Sequence, residues 1–251
     1  MTPRFIDQQV LVVGGGSGLG RAVAIAFAAE GAKVGLIGRT EETLRESLAA
    51  LAGDGHALLT ADITNAAEIS TAVAELSETL GGLDVAVNTA GALLQPAPFG
   101  DVAAEQAAAL FNTNVLGTWN AMSAEVQQLR RGHGGVIINF SSTIGAHRTV
   151  PGFAAYGASK AAVSAMSRAA ALDHIREGIR IAVISPGASD TEMSFRSGES
   201  SDDRAARVAK TNPLGRIGSL QEIAAATLFL ASEDSAFTVG ADFVLDGGTS
   251  A

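Results

Sequence analysis

The sequence predicts an α/β fold: a doubly wound parallel sheet of about seven strands in three layers, α/β/α, forming one domain over residues 1–251. Three observations predict it. Short apolar runs alternate with Ala-rich stretches along the whole chain, the pattern of βαβ units. The first apolar run leads directly into a glycine-rich turn and then a helical stretch. Hydrophobic residues make up 47% of the 251, enough for a sizeable core.

Val10–Val13 is the first expected strand, followed by Gly14-Gly15-Gly16-Ser17-Gly18-Leu19-Gly20 and a helix over about 18–30. Glycines permit positive φ and let backbone approach a ligand closely. A helix start presents free N–H groups and positive partial charge, which suit a pyrophosphate. On the first strand of a βαβ unit, such a turn points to a dinucleotide. The second strand, Val34–Ile37, runs into Gly38-Arg39-Thr40 with no acid at Gly38. A ribose 2′-OH calls for a carboxylate at this strand end and a 2′-phosphate for a cation. Arg39 offers planar donors to phosphate oxygens, so NADP(H) is expected over NAD(H). The alternative for Arg39 is an ordinary surface charge.

Helices over about 41–52 and 66–80 flank a third strand, Ala57–Leu59. Val85–Val87 and Val136–Phe140 read as strands four and five, joined by one helix over about 103–131. The next helix, about 156–176, carries Tyr156-Gly157-Ala158-Ser159-Lys160, with the chain's only Tyr. On a helix, Tyr156 and Lys160 share a face. A phenol ionises near pKa ~10, and a neighbouring cation favours the phenolate; reaching neutrality asks about 4 kcal/mol of the surroundings. After strand Ile179–Ile184 comes a polar stretch, about 188–212, expected as a flexible lid over a site. A helix over about 219–231 and strand Phe243–Leu245 complete the pattern.

The 17 Lys and Arg against 26 Asp and Glu give a net charge of −9, which argues against a nucleic-acid partner. The absence of Cys excludes disulfides, thiolate catalysis and Cys-based metal sites, and fits a reducing cytoplasm. His56, His133, His147 and His174 lie on separate elements without ligand spacing, so no metal is expected. Asp7, Gln8 and Gln9 interrupt any apolar core of a leader in Met1–Gln9. No apolar run approaches the ~20 residues needed to cross a bilayer. The expectation is a soluble, cytoplasmic protein with a small-molecule substrate.

Several further motifs bring a family into view. Asp62 stands in Ala61-Asp62-Ile63-Thr64, and Asn88-Thr89-Ala90-Gly91 ends the fourth strand. Asn114 stands in Asn114-Val115-Leu116-Gly117, and Ser141-Ser142 ends the fifth strand. Pro186-Gly187-Ala188-Ser189-Asp190-Thr191 ends the sixth, and Asp246-Gly247-Gly248 lies near the C-terminus. With the glycine turn and Tyr156/Lys160, these resemble the short-chain dehydrogenase/reductase family in its single-domain form, in order and nearly end to end.

The resemblance implies a Rossmann-type fold and an NADP(H)-dependent oxidoreductase that interconverts a carbonyl and a secondary alcohol. It implies Tyr156 as general acid/base, Lys160 lowering the Tyr pKa and bonding the nicotinamide ribose, Ser142 donating to the carbonyl oxygen, and Asn114 holding a proton-relay water. Ser141 is the fallback for Ser142. Cofactor contacts are implied at Gly14, Ser17, Gly18, Leu19, Gly20, Arg39, Thr40, Asp62, Ile63, Asn88, Ala90, Gly91, Tyr156, Lys160, Pro186, Gly187, Ser189 and Thr191. A homotetramer or dimer is implied, with the Ala-rich helix Ala158–Ile175 a candidate interface.

The chain departs from the family pattern at three places. Val13 stands where the family has Thr and Thr89 where it has a second Asn, so a tie between the glycine turn and the fourth strand must be remade or lost. One extra residue separates Gly145 from Pro151, bringing His147 and Arg148 toward the substrate side or into a surface bulge. Substrate walls are expected from about 93–99, 143–153 and 188–212. A narrower reading is a 3-oxoacyl-thioester reductase, for which Arg130, Arg131, Arg148 and Arg196 are candidate carrier contacts. An alternative of another class is a non-catalytic NADPH-binding regulator, against which the complete Ser/Tyr/Lys/Asn set argues.

Overall fold

The computed structural model describes residues 3–251; Met1 and Thr2, where the expected leaderless stretch begins, lie outside the described residues. The strands are β1 Gln9–Val13, β2 Lys33–Gly38, β3 Ala57–Thr60, β4 Val85–Asn88, β5 Gly135–Phe140, β6 Ile179–Pro186 and β7 Asp242–Leu245. They form one seven-stranded parallel sheet in the order β3-β2-β1-β4-β5-β6-β7. The helices are α1 Gly18–Ala29, α2 Glu41–Ala49, α3 Ala66–Leu80, α4 Ala104–Phe111, α5 Thr118–Leu129, α6 Thr143–Ala146, α7 Ala154–His174, α8 Ser201–Thr211 and α9 Leu220–Ala231.

The strands are apolar on both faces because helices cover both. In β1, Val10 and Val12 join a cluster with Val23, Phe27, Leu44 and Ile223 of α1, α2 and α9. Leu11 and Val13 face the other way, toward Ile69, Val73, Met122 and Ala171 of α3, α5 and α7. Strand order reverses between β1 and β4, so the loops leaving their carboxyl ends part and open a crevice.

Three elements differ from expectation. The helix expected over about 103–131 is broken: α4 and α5 are joined by a π-helical turn, Asn112–Gly117. A Cβ on Gly117 would sit 2.9 Å from Ile63 Cγ2, so the turn lies close against the β3–α3 loop. The segment 188–212 is not simply a flexible lid. It contains a 3-10 turn, Glu192–Ser194, and helix α8. Ser200 Oγ caps α8 by accepting from Asp203 N, while the Asp203 side chain answers Ser200. Arg204 pairs with Asp190 and stacks on Phe195 at 3.8 Å, and Arg207 pairs with Glu199. These contacts hold α8 against the strand ends. The signal was present as Ser200-x-x-Asp203 before an amphipathic run, a capping pattern. The helix expected over 41–52 also stops earlier, at Ala49.

One buried polar layer runs beneath the crevice. Asn88 Nδ2 donates to Glu125 Oε2 and to Asn139 Oδ1, both at 2.9 Å. Asn139 Nδ2 in turn donates to Ser167 Oγ at 2.9 Å. The layer ties β4 and β5 to α5 and α7 just before the loops that carry the site.

Candidate active site

The carboxyl ends of the strands surround a cleft of about 1450 Å³. Its nucleotide end is built on the turn from β1 into α1. Gly14 has φ +88°, and a Cβ there would meet Ala90 N at 2.6 Å. A Cβ on Gly20 would meet the Gly14 carbonyl, so α1 can approach β1 only with glycine at both places. The tie left in question by Val13 and Thr89 is remade from the other side: Thr89 N and Oγ1 both donate to Val13 O at 2.9 Å. Ser17 precedes α1 without capping it by its side chain, leaving the first-turn N–H groups open toward the cleft. Arg21, which sequence reasoning did not single out, braces this turn by donating to Gly16 O at 2.7 Å and to Ser47 Oγ at 2.8 Å.

Arg39 and Thr40 line the cleft beyond the turn, both exposed. Asp62 lines it too; Thr64 donates to its carboxylate from N and Oγ1 and holds its pKa below the ordinary Asp value. Ile63, Ala90, Gly91, Pro186, Gly187 and Ser189 line it as expected. Gly187 passes so close to Asp246 that a Cβ would lie 2.7 Å from the Asp246 Cβ. Thr191 faces the glycine turn, its Cγ2 3.4 Å from where a Gly18 Cβ would be.

The other wall is α7 and the end of β5. Tyr156 and Lys160 both line the cleft one turn apart. Lys160 is buried, donates from Nζ to Phe140 O at 2.9 Å, and burial pulls its pKa down to about 8. The two serines divide clearly. Ser141 Oγ donates to Lys160 O and accepts from Ser164 Oγ, so it is fixed in the packing. Ser142 Oγ accepts from Ile144 N and faces the Tyr156 phenol, whose ionisation it favours.

A family model described as enoyl-(acyl carrier protein) reductase matches residues 13–250. The chain is 38% identical, over all of both chains, to a 2-(S)-hydroxypropyl-CoM dehydrogenase of Xanthobacter autotrophicus. It is 35% identical to a levodione reductase of Leifsonia aquatica, over 100% of this chain and 97% of that one. A crystal structure of levodione reductase superposes with a TM-score of 0.93 at 32% identity, covering 98% of this chain and 99% of that one. The chain belongs to the short-chain dehydrogenase/reductase family. It is therefore an oxidoreductase of a family that uses nicotinamide cofactors and whose members here act on alcohols and carbonyls.

In this short-chain dehydrogenase/reductase, one cofactor contact expected of a side chain needs correction. Asn88 does not reach the cleft; it belongs to the buried layer below, because its side chain points between β4 and α5. The Asn114 side chain is bound to backbone and to Ser159: Oδ1 accepts from Ala92 N at 2.7 Å, and Nδ2 donates to Ala92 O and Ser159 Oγ at 3.0 Å. It pins the β4–α4 loop, and both its Oδ1 and Lys160 Nζ stand 3.3 Å from where a Gly91 Cβ would be. Burial raises the Tyr156 pKa and the Ser142 hydroxyl opposes that, while the Lys160 ammonium is turned to Phe140 O. Of the two alternatives for His147, the cleft is not the one observed: it is absent from the lining, and its Nε2 lies 3.0 Å from Asp242 Oδ2 on β7.

Of the two alternatives for the extra-residue loop, Arg148 lines the cleft. Arg130 and Arg131 lie elsewhere: Arg130 pairs with Glu177, and Arg131 bonds Gln128. The three expected substrate walls all contribute, through Leu94, Val150, Phe153 and Phe195 among others. No described helix is long and apolar enough to cross a membrane.

Proposed function

We propose that this protein interconverts a carbonyl and a secondary alcohol with NADP(H), using Tyr156 as general acid and base. The observation that carries this reading is one cleft wall bearing Tyr156, Ser142 and Lys160 opposite an open glycine turn at the start of α1. The turn fits a pyrophosphate, because glycine keeps the space clear and α1 directs its free N–H groups there. When bound, a nicotinamide supplies the hydride.

The chain's own groups position substrate and handle the proton. The Ser142 hydroxyl donates to the substrate oxygen and holds it beside the phenol. Burial keeps Tyr156 protonated at neutral pH, ready to donate to an oxygen that gains negative charge. In the oxidation direction it takes that proton back. Lys160 retains Nζ protons beyond the one given to Phe140 O; these serve a ribose hydroxyl and favour the phenolate as it forms. Asn114 sets the position of Ala92 and so of the loop beside Lys160.

Arg39, exposed at the nucleotide end of the cleft, supports the NADP(H) assignment. Gly38→Asp/Arg39→Ile is expected to reverse a preference for NADPH over NADH. Dissociation constants for both cofactors in both proteins check this; equal affinities in the wild type would exclude it. A panel of ketones, diketones, steroids, sugars and acyl thioesters, followed by NADPH oxidation, tests the activity. Cofactor binding with no turnover on any member would favour the non-catalytic sensor.

A further inference from the structure

The substrate end of the cleft carries positive charge that the protein itself does not neutralise. Arg148, Arg196 and Arg207 line it, and Arg204 shares helix α8 with Arg207. Arg204 pairs with Asp190, and Arg207 holds both oxygens of Glu199 at 2.6 and 2.7 Å. Arg148 and Arg196 line the cleft, and among the described residues neither guanidinium has an ion pair or hydrogen bond. Arg196 meets Glu199 only through its backbone N–H, at 3.0 Å, while that carboxylate is already engaged by Arg207.

Arg148 is the more telling of the two. Its backbone is fixed: Arg148 N donates to Thr143 O at 2.9 Å, and its carbonyl accepts from Gly145 N at 3.0 Å. Gly145 makes that turn possible, with φ +147° and so close to α7 that a Cβ would lie 2.8 Å from Gly157 O. Arg148 is half-buried and Arg196 exposed, and Val150 and Phe153 line the same cleft. A half-buried guanidinium loses hydration and needs an anion or carbonyls in exchange. The one unpaired carboxylate among the cleft-lining residues at this end, Glu192, is exposed. This arrangement occurs in a chain of net charge −9.

We infer that the substrate carries a terminal oxyanion, a carboxylate, sulfonate or phosphonate, received by Arg148 and Arg196 while its carbonyl or carbinol lies at Tyr156. This rests on the oxidoreductase reading above and narrows it to a substrate class. Arg supplies paired planar donors to each of these groups. Leu94, Val150 and Phe153 line the same cleft with apolar side chains, which suit a short hydrocarbon spacer.

The test sets anionic ketones against neutral counterparts: acetoacetate and levulinate against their methyl esters, with acetonesulfonate and acetonylphosphonate separating the anion types. The readouts are reduced-cofactor oxidation and quenching of the bound cofactor's fluorescence. The expected result is kcat/KM or affinity about tenfold or more in favour of the anions, the size of a charge-assisted hydrogen bond. That ratio should fall toward one in Arg148→Ala/Arg196→Ala and be partly restored in Arg148→Lys/Arg196→Ala, with cofactor affinity of each variant showing that it is folded. A ratio near one in the wild type, or an unchanged ratio in the double variant, overturns the inference. No response to any anion also overturns it. In that case turnover of neutral ketones leaves the oxidoreductase reading standing, so the two failures are distinguishable.

Discussion

Replacement of Tyr156 by Phe is expected to lower turnover by about 10²–10⁴-fold or more, with cofactor affinity nearly unchanged. The ring remains, so the edge contact with Phe153, 6.4 Å between centroids, and the packing of α7 persist. What is lost is the only Tyr hydroxyl in the chain. Ser141 cannot take its place, since its hydroxyl is engaged by Ser164 and the Lys160 carbonyl. Single-turnover rates and cofactor titration check this. A variant that keeps most of the wild-type rate would remove Tyr156 from the proton-transfer step.

The second large effect is on stability. Glu125 is fully buried, and burial pushes its pKa up to about 7, only partly opposed by the Asn88 side chain that donates to it. Burial and Asn88 are the causes of that shift; no cation of α3, α7, β4 or β5 contributes to it. One of its oxygens, Oε1, has no partner, and neither has Asn88 Oδ1. The folded state therefore holds a proton on Glu125 that the unfolded chain releases near its ordinary pKa of 4.5. Below pH ~4.5 both states are protonated and the group costs nothing; as pH rises through about 7 the full penalty appears, of order 3 kcal/mol. Glu125→Gln removes the charge and keeps the shape. It is expected to raise unfolding free energy at pH 8 by up to that amount and to change it little at pH 5. Urea denaturation at the two values decides the matter, and the same difference at both would assign the effect to packing instead.

The carboxylate's place explains why it was not legible in sequence. Glu125 lies in a stretch that reads as an ordinary surface-bearing helix. Only the packing of α5 against β4 and β5 shows that it is enclosed and faces Asn88 and Asn139. Asn88 was misread for the same reason. Its motif position was right, but side chains alternate along a strand, and this one points below the cleft rather than into it.

Other parts were readable because their cause is local. The seven strands announced themselves as short apolar runs, since a sheet covered on both faces has no polar side. The glycine turn was legible because positive φ and close backbone approach exclude other residues. Helical spacing put Tyr156 and Lys160 on one face, and the glycine turn and the family resemblance gave that pair its meaning. By itself, then, the sequence determined the order of strands and helices, the glycine cradle and the Tyr/Lys pair, all set within a few residues by backbone sterics and periodicity. The tertiary structure decided which serine is free, where Asn88 and Asn114 point, how Thr89 replaces the missing tie at Val13, and that Arg148 and Arg196 are left without carboxylates. Those depend on neighbours distant in the chain, and burial and hydrogen-bond competition are properties of the packed molecule.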